Sequence, residues 1–162
     1  MTAGPTNDTK PRPSSHLPPP LVYAAGLLVG WLLDRRFPVP ITVGPSMGRI
    51  VAAAICIAAC AATVLAAFIT FRRARTTVIP GRPANALVTS GPYQLTRNPM
   101  YVSFAALYIG ATLLLNTWWP AVLLPIVILT IDVAVIRSEE RYLAAAFPRE
   151  YSEYRSRVRR WL

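Results

Sequence analysis

Histidine and lysine are almost missing from this chain of 162 residues: His16 and Lys10 are the single copies, and both stand within the first sixteen positions. That excludes a dedicated imidazole or amine base further along the chain. Cysteine is scarce too. Cys56 and Cys60 are four apart inside an apolar stretch, so they share one helical face and read as small hydrophobes. With the one histidine far away in sequence, they make neither a disulfide framework nor a set of metal ligands, and no metal is expected. Acid is the third shortage, with 7 Asp and Glu against 17 Lys and Arg and a net charge of +10. In a soluble protein this excess would point to nucleic acid. Here only 15% of residues are charged, 54% are apolar, and the apolar ones come in uninterrupted blocks that leave no polar face for water. The expected solvent is a bilayer, with the arginines as anchors at anionic membrane lipid and no nucleic-acid partner.

Four blocks carry the apolar residues. Residues 1–16 are rich in Pro, Ser, Thr and Asn without periodicity and read as a disordered tail, because ordering them would bury nothing. Pro18, Pro19 and Pro20 open the first block, Leu21 to Leu33, in a first helical turn whose N–H groups lack partners anyway. Asp34-Arg35-Arg36 follows at once, where a cleaved leader would need small residues, so a signal peptide is rejected. The second block, Ile50 to Phe71, is about 33 Å long as a helix, enough to cross hydrocarbon. Met100 to Leu115 and Trp118 to Ile136 are parted only by Asn116 and Thr117, the spacing of a helical hairpin whose two tryptophans suit an interface. Pro125 should kink the fourth block.

The predicted fold is therefore an all-α integral membrane protein with about four transmembrane helices and an amphipathic C-terminal helix. Helices 1 and 2 fall within 17–71, a cytoplasmic connection spans 72–99, a hairpin of helices 3 and 4 spans 100–136, and a cytoplasmic helical lid spans 137–162. Four crossings put the tail, the connection and the C-terminal segment on one side. They carry two, five and seven of the Lys and Arg, against Arg35, Arg36 and Arg49 on the other side. The richer side is the cytoplasmic one, which makes the chain multi-pass in the cell membrane with both termini inside.

Two segments on that side carry more than a connection requires. In the first, Gly91-Pro92 forces a turn and Asn98-Pro99 starts a helix, with Asn as N-cap and Pro at the first helical position. Tyr93, Arg97 and Tyr101 are spaced at four and would present two phenols and a guanidinium at the head of the third helix if the segment is helical throughout. Interfacial anchoring explains them equally well. In the second segment, Asp132 lies in the apolar run, where a carboxylate is either a functional acid or the partner of a polar group on another helix. Glu139 falls seven residues later on nearly the same face, beside Arg137 and Glu140. Adjacent carboxylates repel, so a cationic ligand is a natural partner; a solvated face pairing with Arg137 and Arg141 is the plainer alternative. Leu143, Phe147, Tyr151, Tyr154 and Val158 recur at three or four and make an amphipathic helix broken at Pro148. It reads as a lipid-surface anchor with a terminal Trp161, or as a lid over a pocket.

Three strings now stand in order: Leu87-Val88-Thr89-Ser90-Gly91-Pro92-Tyr93, then Arg97-Asn98-Pro99-Met100-Tyr101, then Glu139-Glu140 with Leu143, Phe147, Tyr151 and Tyr154. Together they resemble the isoprenylcysteine carboxyl methyltransferase family, integral-membrane enzymes related to phospholipid N-methyltransferases. The likeness runs from Thr76 to Leu162, about half the chain. It implies transfer of a methyl group from S-adenosylmethionine, leaving S-adenosylhomocysteine, to a lipophilic small-molecule acceptor in a pocket at the cytoplasmic face. The family's cofactor contacts carry over onto Asn85, Ala86, Leu87, Val88, Tyr93, Asn98, Pro99, Met100, Tyr101 and Glu139, joined by Arg97, Tyr151 and Tyr154. Arg137, Glu140 and Asp132 are the candidate catalytic residues, Arg137 by a loose correspondence to the family's substrate arginine. Where the eukaryotic members have His before the proline this chain has Asn98, and where they have His before the Leu-Val pair it has Asn85 or Ala86, which loosens the link to prenylcysteine. A carboxylate acceptor is favoured because it arrives ionised, whereas an amine or thiol would have to be deprotonated. The rival reading is a non-catalytic four-helix membrane or lipid-binding accessory protein, for which charge-conserving changes such as Arg97→Lys would be harmless.

Overall fold

The computed structural model describes residues 18–74 and 86–162, so the expected tail at 1–16 and part of the 72–99 connection, Asn85 included, lie outside the described residues. Those residues are mainly helical, and no strand occurs among them. α1 (Pro19–Arg36) begins on its proline pair, as a first turn allows. α2 (Met47–Arg73) is capped by Ser46, whose Oγ accepts from the Arg49 N–H at 3.4 Å. α3 (Pro99–Leu115) ends on Asn116 at φ 56°, a left-handed position that Asn tolerates better than most side chains. α4 (Trp119–Ile131) runs through Pro125, passes into a π-helical turn at Asp132–Ile136 and continues as α5 (Arg137–Ala146). The departure from regular geometry thus falls beyond Pro125 rather than at it. α6 (Pro148–Arg157) follows a break at Phe147, so the C-terminal segment is two helices, the first continuous with the fourth apolar block.

Two stretches, Met47–Arg73 and Trp119–Ala146, are long and apolar enough to cross a membrane, and α3 is a shorter apolar helix. α1 has 18 residues but carries Asp34, Arg35 and Arg36 at its end. Leu21, Leu28, Leu32, Ile55, Leu65, Val122, Ile126 and Leu129 are each more than half exposed on these helices. In water so much bare hydrocarbon would be a liability, whereas in a bilayer it is the ordinary outer face.

The core lies where α1, α3 and α4 meet, around Tyr23, Tyr101, Tyr108, Val127, Ile131, Val135 and Ile136. Phenols join the helices through backbone carbonyls: Tyr23 donates to the Tyr101 carbonyl at 3.0 Å and Tyr108 to the Pro120 carbonyl at 2.9 Å. α2 packs along α3 through small residues, with Ala53, Cys60 and Ala67 buried and Gly110 facing Ala53, Cys56 and Ile57. Such stripes let apolar helices approach closely where lipid gives no hydrophobic drive.

One end of the bundle is tied by the loop after α1 and the turn before α4. Pro40 and Thr117 form an isolated antiparallel bridge, Asn116 Oδ1 accepts from the Thr42 N–H at 3.0 Å, and Trp119 Nε1 donates to the Phe37 carbonyl at 2.6 Å. The Arg49 guanidinium donates to the carbonyls of Leu113 and Leu114, a cation at the negative end of α3. The 86–98 segment and α5 therefore gather at the opposite end.

Close helix contact makes a direct test. A Cβ on Gly30 would stand 2.6 Å from Pro120 Cγ and 2.7 Å from the Pro120 backbone nitrogen, whereas one on Gly48 would meet nothing within 4 Å. Gly30→Ala is expected to cost about 1–3 kcal/mol, and Gly48→Ala to leave stability unchanged or raise it by up to about 1 kcal/mol. Thermal unfolding of the detergent-solubilised variants by circular dichroism checks both.

Candidate functional site

The site begins at a single 3₁₀ turn, Gly91–Gln94. Gly91 has φ 61° and lies so near the end of α2 that an added Cβ would stand 2.5 Å from Thr70 Oγ1, so glycine is needed twice over. Tyr93 packs edge-on against Phe71 at 5.5 Å. The chain from Leu95 to Asn98 is not helical, and α3 starts only at Pro99. A single helix carrying Tyr93, Arg97 and Tyr101 is thereby corrected: their spacing of four does not align them.

The C-terminal segment gathers them instead. The Arg97 N–H donates to the Arg159 carbonyl at 2.9 Å, and Thr96 Oγ1 and Asn98 Nδ2 both donate to the Arg160 carbonyl, at 2.9 and 3.0 Å. Asn98 does stand at the N-cap of α3, but its side chain caps nothing because it is spent on Arg160. From the other direction Tyr154 donates to the Tyr93 carbonyl at 2.6 Å, and Tyr151 accepts from Arg97 Nη1 at 3.4 Å. Tyr151 and Tyr154 are both buried. Burial pushes the Tyr154 phenol up to about 12 and raises those of Tyr93 and Tyr151.

Two acids and three arginines meet across this junction. Arg160 grips Glu140 with two bonds, Nε to Oε1 at 3.0 Å and Nη2 to Oε2 at 2.6 Å, while its Nη1 lies 3.2 Å from Asp132 Oδ1. Arg137 Nε reaches back five residues to Asp132 Oδ2 at 3.0 Å, a spacing that the π turn between them makes possible. Arg97 Nη1 is 3.3 Å from Glu140 Oε1. Asp132 and Glu139, expected on nearly one face, find different partners because the wider turn separates them.

Two groups are left over. Both carboxylate oxygens of Glu139 accept from the Tyr101 hydroxyl, at 2.9 and 3.0 Å, and among the described residues no cation lies within ion-pair distance of it. Arg97, whose side chain is 10% exposed, has its Nε buried without a hydrogen-bond partner among the described residues. Among the described residues the junction therefore keeps one acid without a cation, Glu139, and one guanidinium nitrogen without an acceptor, Arg97 Nε.

Of the other candidates, Ala86 is exposed, Leu87 and Met100 are partly buried, and Val88 and Pro99 are buried in the approach to α3. Sequence reasoning missed Arg160, for nothing in its spacing separates it from Arg155, Arg157 or Arg159. Its neighbour offered the only signal. Trp161, which reads as a lipid anchor, packs instead against the aromatic core of α1, α3 and α4 and so carries Arg160 inward. Among the described residues no three His, Cys, Asp or Glu side chains are grouped to hold a metal ion.

A helical fold with two helices long and apolar enough to cross a membrane, and a cluster of ion pairs at one end, is the class that the described residues define. Residues 48–150 match the phospholipid methyltransferase family, and the chain belongs to it. Over 80 residues, 49% of this chain and 37% of the relative, it is 42% identical to the cobalt-zinc-cadmium resistance protein CzcN of Cupriavidus metallidurans. Over 72 residues, 44% of this chain, it is 36% identical to protein-S-isoprenylcysteine O-methyltransferase B of Arabidopsis thaliana, covering 36% of that protein. The same length is 35% identical to protein-S-isoprenylcysteine O-methyltransferase of Schizosaccharomyces pombe, covering 30% of it. The last two relatives agree with the likeness to the isoprenylcysteine carboxyl methyltransferases, and the chain spans only about a third of the length of all three. No solved structure matches the chain.

The buried phenols set a pH dependence. In the unfolded chain Tyr154 ionises near 10, but the folded chain keeps the proton until about 12, so its contribution is full below 10 and is lost as pH rises through 12. The melting temperature is expected to fall between pH 10 and 12, less steeply in Tyr154→Phe, which also loses the bond to Tyr93 at a cost of about 1 kcal/mol at neutral pH.

Proposed function

We propose that the chain is an S-adenosylmethionine-dependent methyltransferase working at the cytoplasmic face of a membrane that it crosses four times, by α1 to α4. The positive-inside rule supports the orientation: the site end bears Arg72, Arg73 and the arginines from Arg97 and Arg137 onward, and the far end only Arg35, Arg36 and Arg49.

The observation that carries the reading is the charge ledger of the site. Asp132 is matched by Arg137 and Arg160, and Glu140 by Arg160 and Arg97, which leaves the Glu139 carboxylate and the Arg97 Nε. One unmatched anion and one unsatisfied cationic donor are what the head of a free α-amino acid requires: Glu139 for its ammonium and Arg97 for its carboxylate. The methionine part of S-adenosylmethionine is such a head. Tyr93, Tyr101, Tyr151 and Tyr154 offer rings for the nucleoside, with Asn98, Pro99 and Met100 forming the floor at the start of α3, and Ala86, Leu87 and Val88 its approach. Asn85 belongs to the same assignment by family likeness.

When bound, the cofactor supplies a methyl group already made electrophilic by its sulfonium. The protein's task is then to align the acceptor and keep water out, with α5 and α6 as the covering lid. Asp132 and Glu140, both engaged by arginines, are positioning residues rather than free bases. Arg137, whose side chain is 56% exposed, is free to offer its remaining donors to an anionic head group. A lipophilic carboxylate fits this arrangement best, because it arrives ionised and asks for no base.

Calorimetric titration of the purified protein with S-adenosylhomocysteine tests the reading. Binding is expected, with a loss of about 10- to 100-fold in Glu139→Ala, the weight of a hydrogen bond to a charged group. A wild-type protein that binds neither this product nor S-adenosylmethionine rejects it.

A further inference from the structure

We infer that Arg160 is a positioning residue that limits Glu140 to a single contact with Arg97, at 3.3 Å, so that the other donors of Arg97 stay available to an anion. The inference rests on the cofactor reading above and adds a residue from outside the motifs that suggested it.

Glu140 lies between two arginines. Arg160 engages both of its oxygens, at 3.0 and 2.6 Å, while Arg97 contributes a single contact at 3.3 Å. A two-pronged guanidinium–carboxylate pair is the stronger of the two, so Glu140 belongs chiefly to Arg160. Take Arg160 away and Glu140, 13% exposed beside an Arg97 that is 10% exposed, has one cation left. A carboxylate that is largely removed from water will not stay half-paired, so it closes on Arg97 and spends the donors that a ligand carboxylate needs. It also places a negative charge against that carboxylate. Asp132 is spared, because Arg137 still holds it at 3.0 Å.

The backbone shows that Arg160 is placed and not merely nearby. Its carbonyl is held by Thr96 Oγ1 and Asn98 Nδ2, the preceding carbonyl by the Arg97 N–H, and the following Trp161 packs against the core. These ties run to Arg97 and its two neighbours, so the residue that restrains Glu140 is fastened to the residue it protects. Arg155 and Arg157, in α6, carry no such ties.

Four variants in detergent, Arg160→Gln, Arg160→Lys, Glu140→Gln and the double Glu140→Gln/Arg160→Gln, are titrated with S-adenosylhomocysteine by calorimetry. Arg160→Gln should weaken binding about tenfold or more, the scale of coupling between close buried charges. Arg160→Lys, which keeps the charge, should fall between it and wild type. The double variant should return to within about threefold of Glu140→Gln, because removing the acid removes the need for its restraint. A merely structural arginine would show no such rescue. Arg160→Gln that binds like wild type, or a double variant no better than Arg160→Gln, overturns the inference while leaving the cofactor reading intact. Should Arg160→Gln fail to fold, the double variant carries no stranded Glu140, and weak binding by it gives the same refutation. Absence of binding by the wild type overturns the cofactor reading and this inference together.

Discussion

A carboxylate shielded from water is costly unless a cation meets it, and among the described residues Glu139 meets only the hydroxyl of Tyr101. The arrangement around it follows from that one unbalanced charge. Its neighbour Glu140 is gripped by Arg160, Asp132 by Arg137 and Arg160, and Arg97, which touches Glu140, keeps a nitrogen without an acceptor among the described residues. Had the arginines been distributed evenly, every acid would be neutral and the junction would be a structural clamp. The pairing is instead uneven, and Glu139 alone of these three acids is left to a phenol among the described residues.

The backbone arranges this pairing by two local departures from the regular helix. The π turn at Asp132–Ile136 widens the helix where α4 passes into α5, which lets Arg137 reach Asp132 across five residues and sends Glu139 toward Tyr101. The 3₁₀ turn at Gly91–Gln94, pressed on Thr70 by a glycine with positive φ, brings Tyr93 and Arg97 under the C-terminal helices. Both irregularities lie at the charged end, while the far end is closed by ordinary bonds between its loop and turn.

The helices were legible because apolar length is a local property: the block Ile50 to Phe71 lies within α2, Met47–Arg73, and Met100 to Leu115 within α3, Pro99–Leu115. The motif residues were legible by likeness, and several of them do meet, Tyr93 with Tyr154, Tyr101 with Glu139 and Arg97 with Glu140. Spacing misled where it assumed an unbroken helix: Gly91-Pro92 and Asn98-Pro99 already marked the break before α3, whereas the π turn after Ile131 has no signature in residue type. Arg160 escaped for a different reason. Its meaning comes from partners 20 to 64 residues away, and an arginine among arginines does not announce a long-range partner. Trp161 was likewise ambiguous, since an indole at a chain's basic end serves a lipid surface and a core equally well.

The central claim is that the unmatched acid and the spare arginine nitrogen receive the two ends of one amino-acid head. A structure determined with S-adenosylhomocysteine bound, by crystallography or electron microscopy, tests it most directly. The account predicts the ligand's ammonium within hydrogen-bond distance of the Glu139 carboxylate and its carboxylate on Arg97, with Arg160 still holding Glu140. A ligand whose ammonium lies on Glu140 or Asp132, or a nucleoside bound away from α3 and α5, would contradict it.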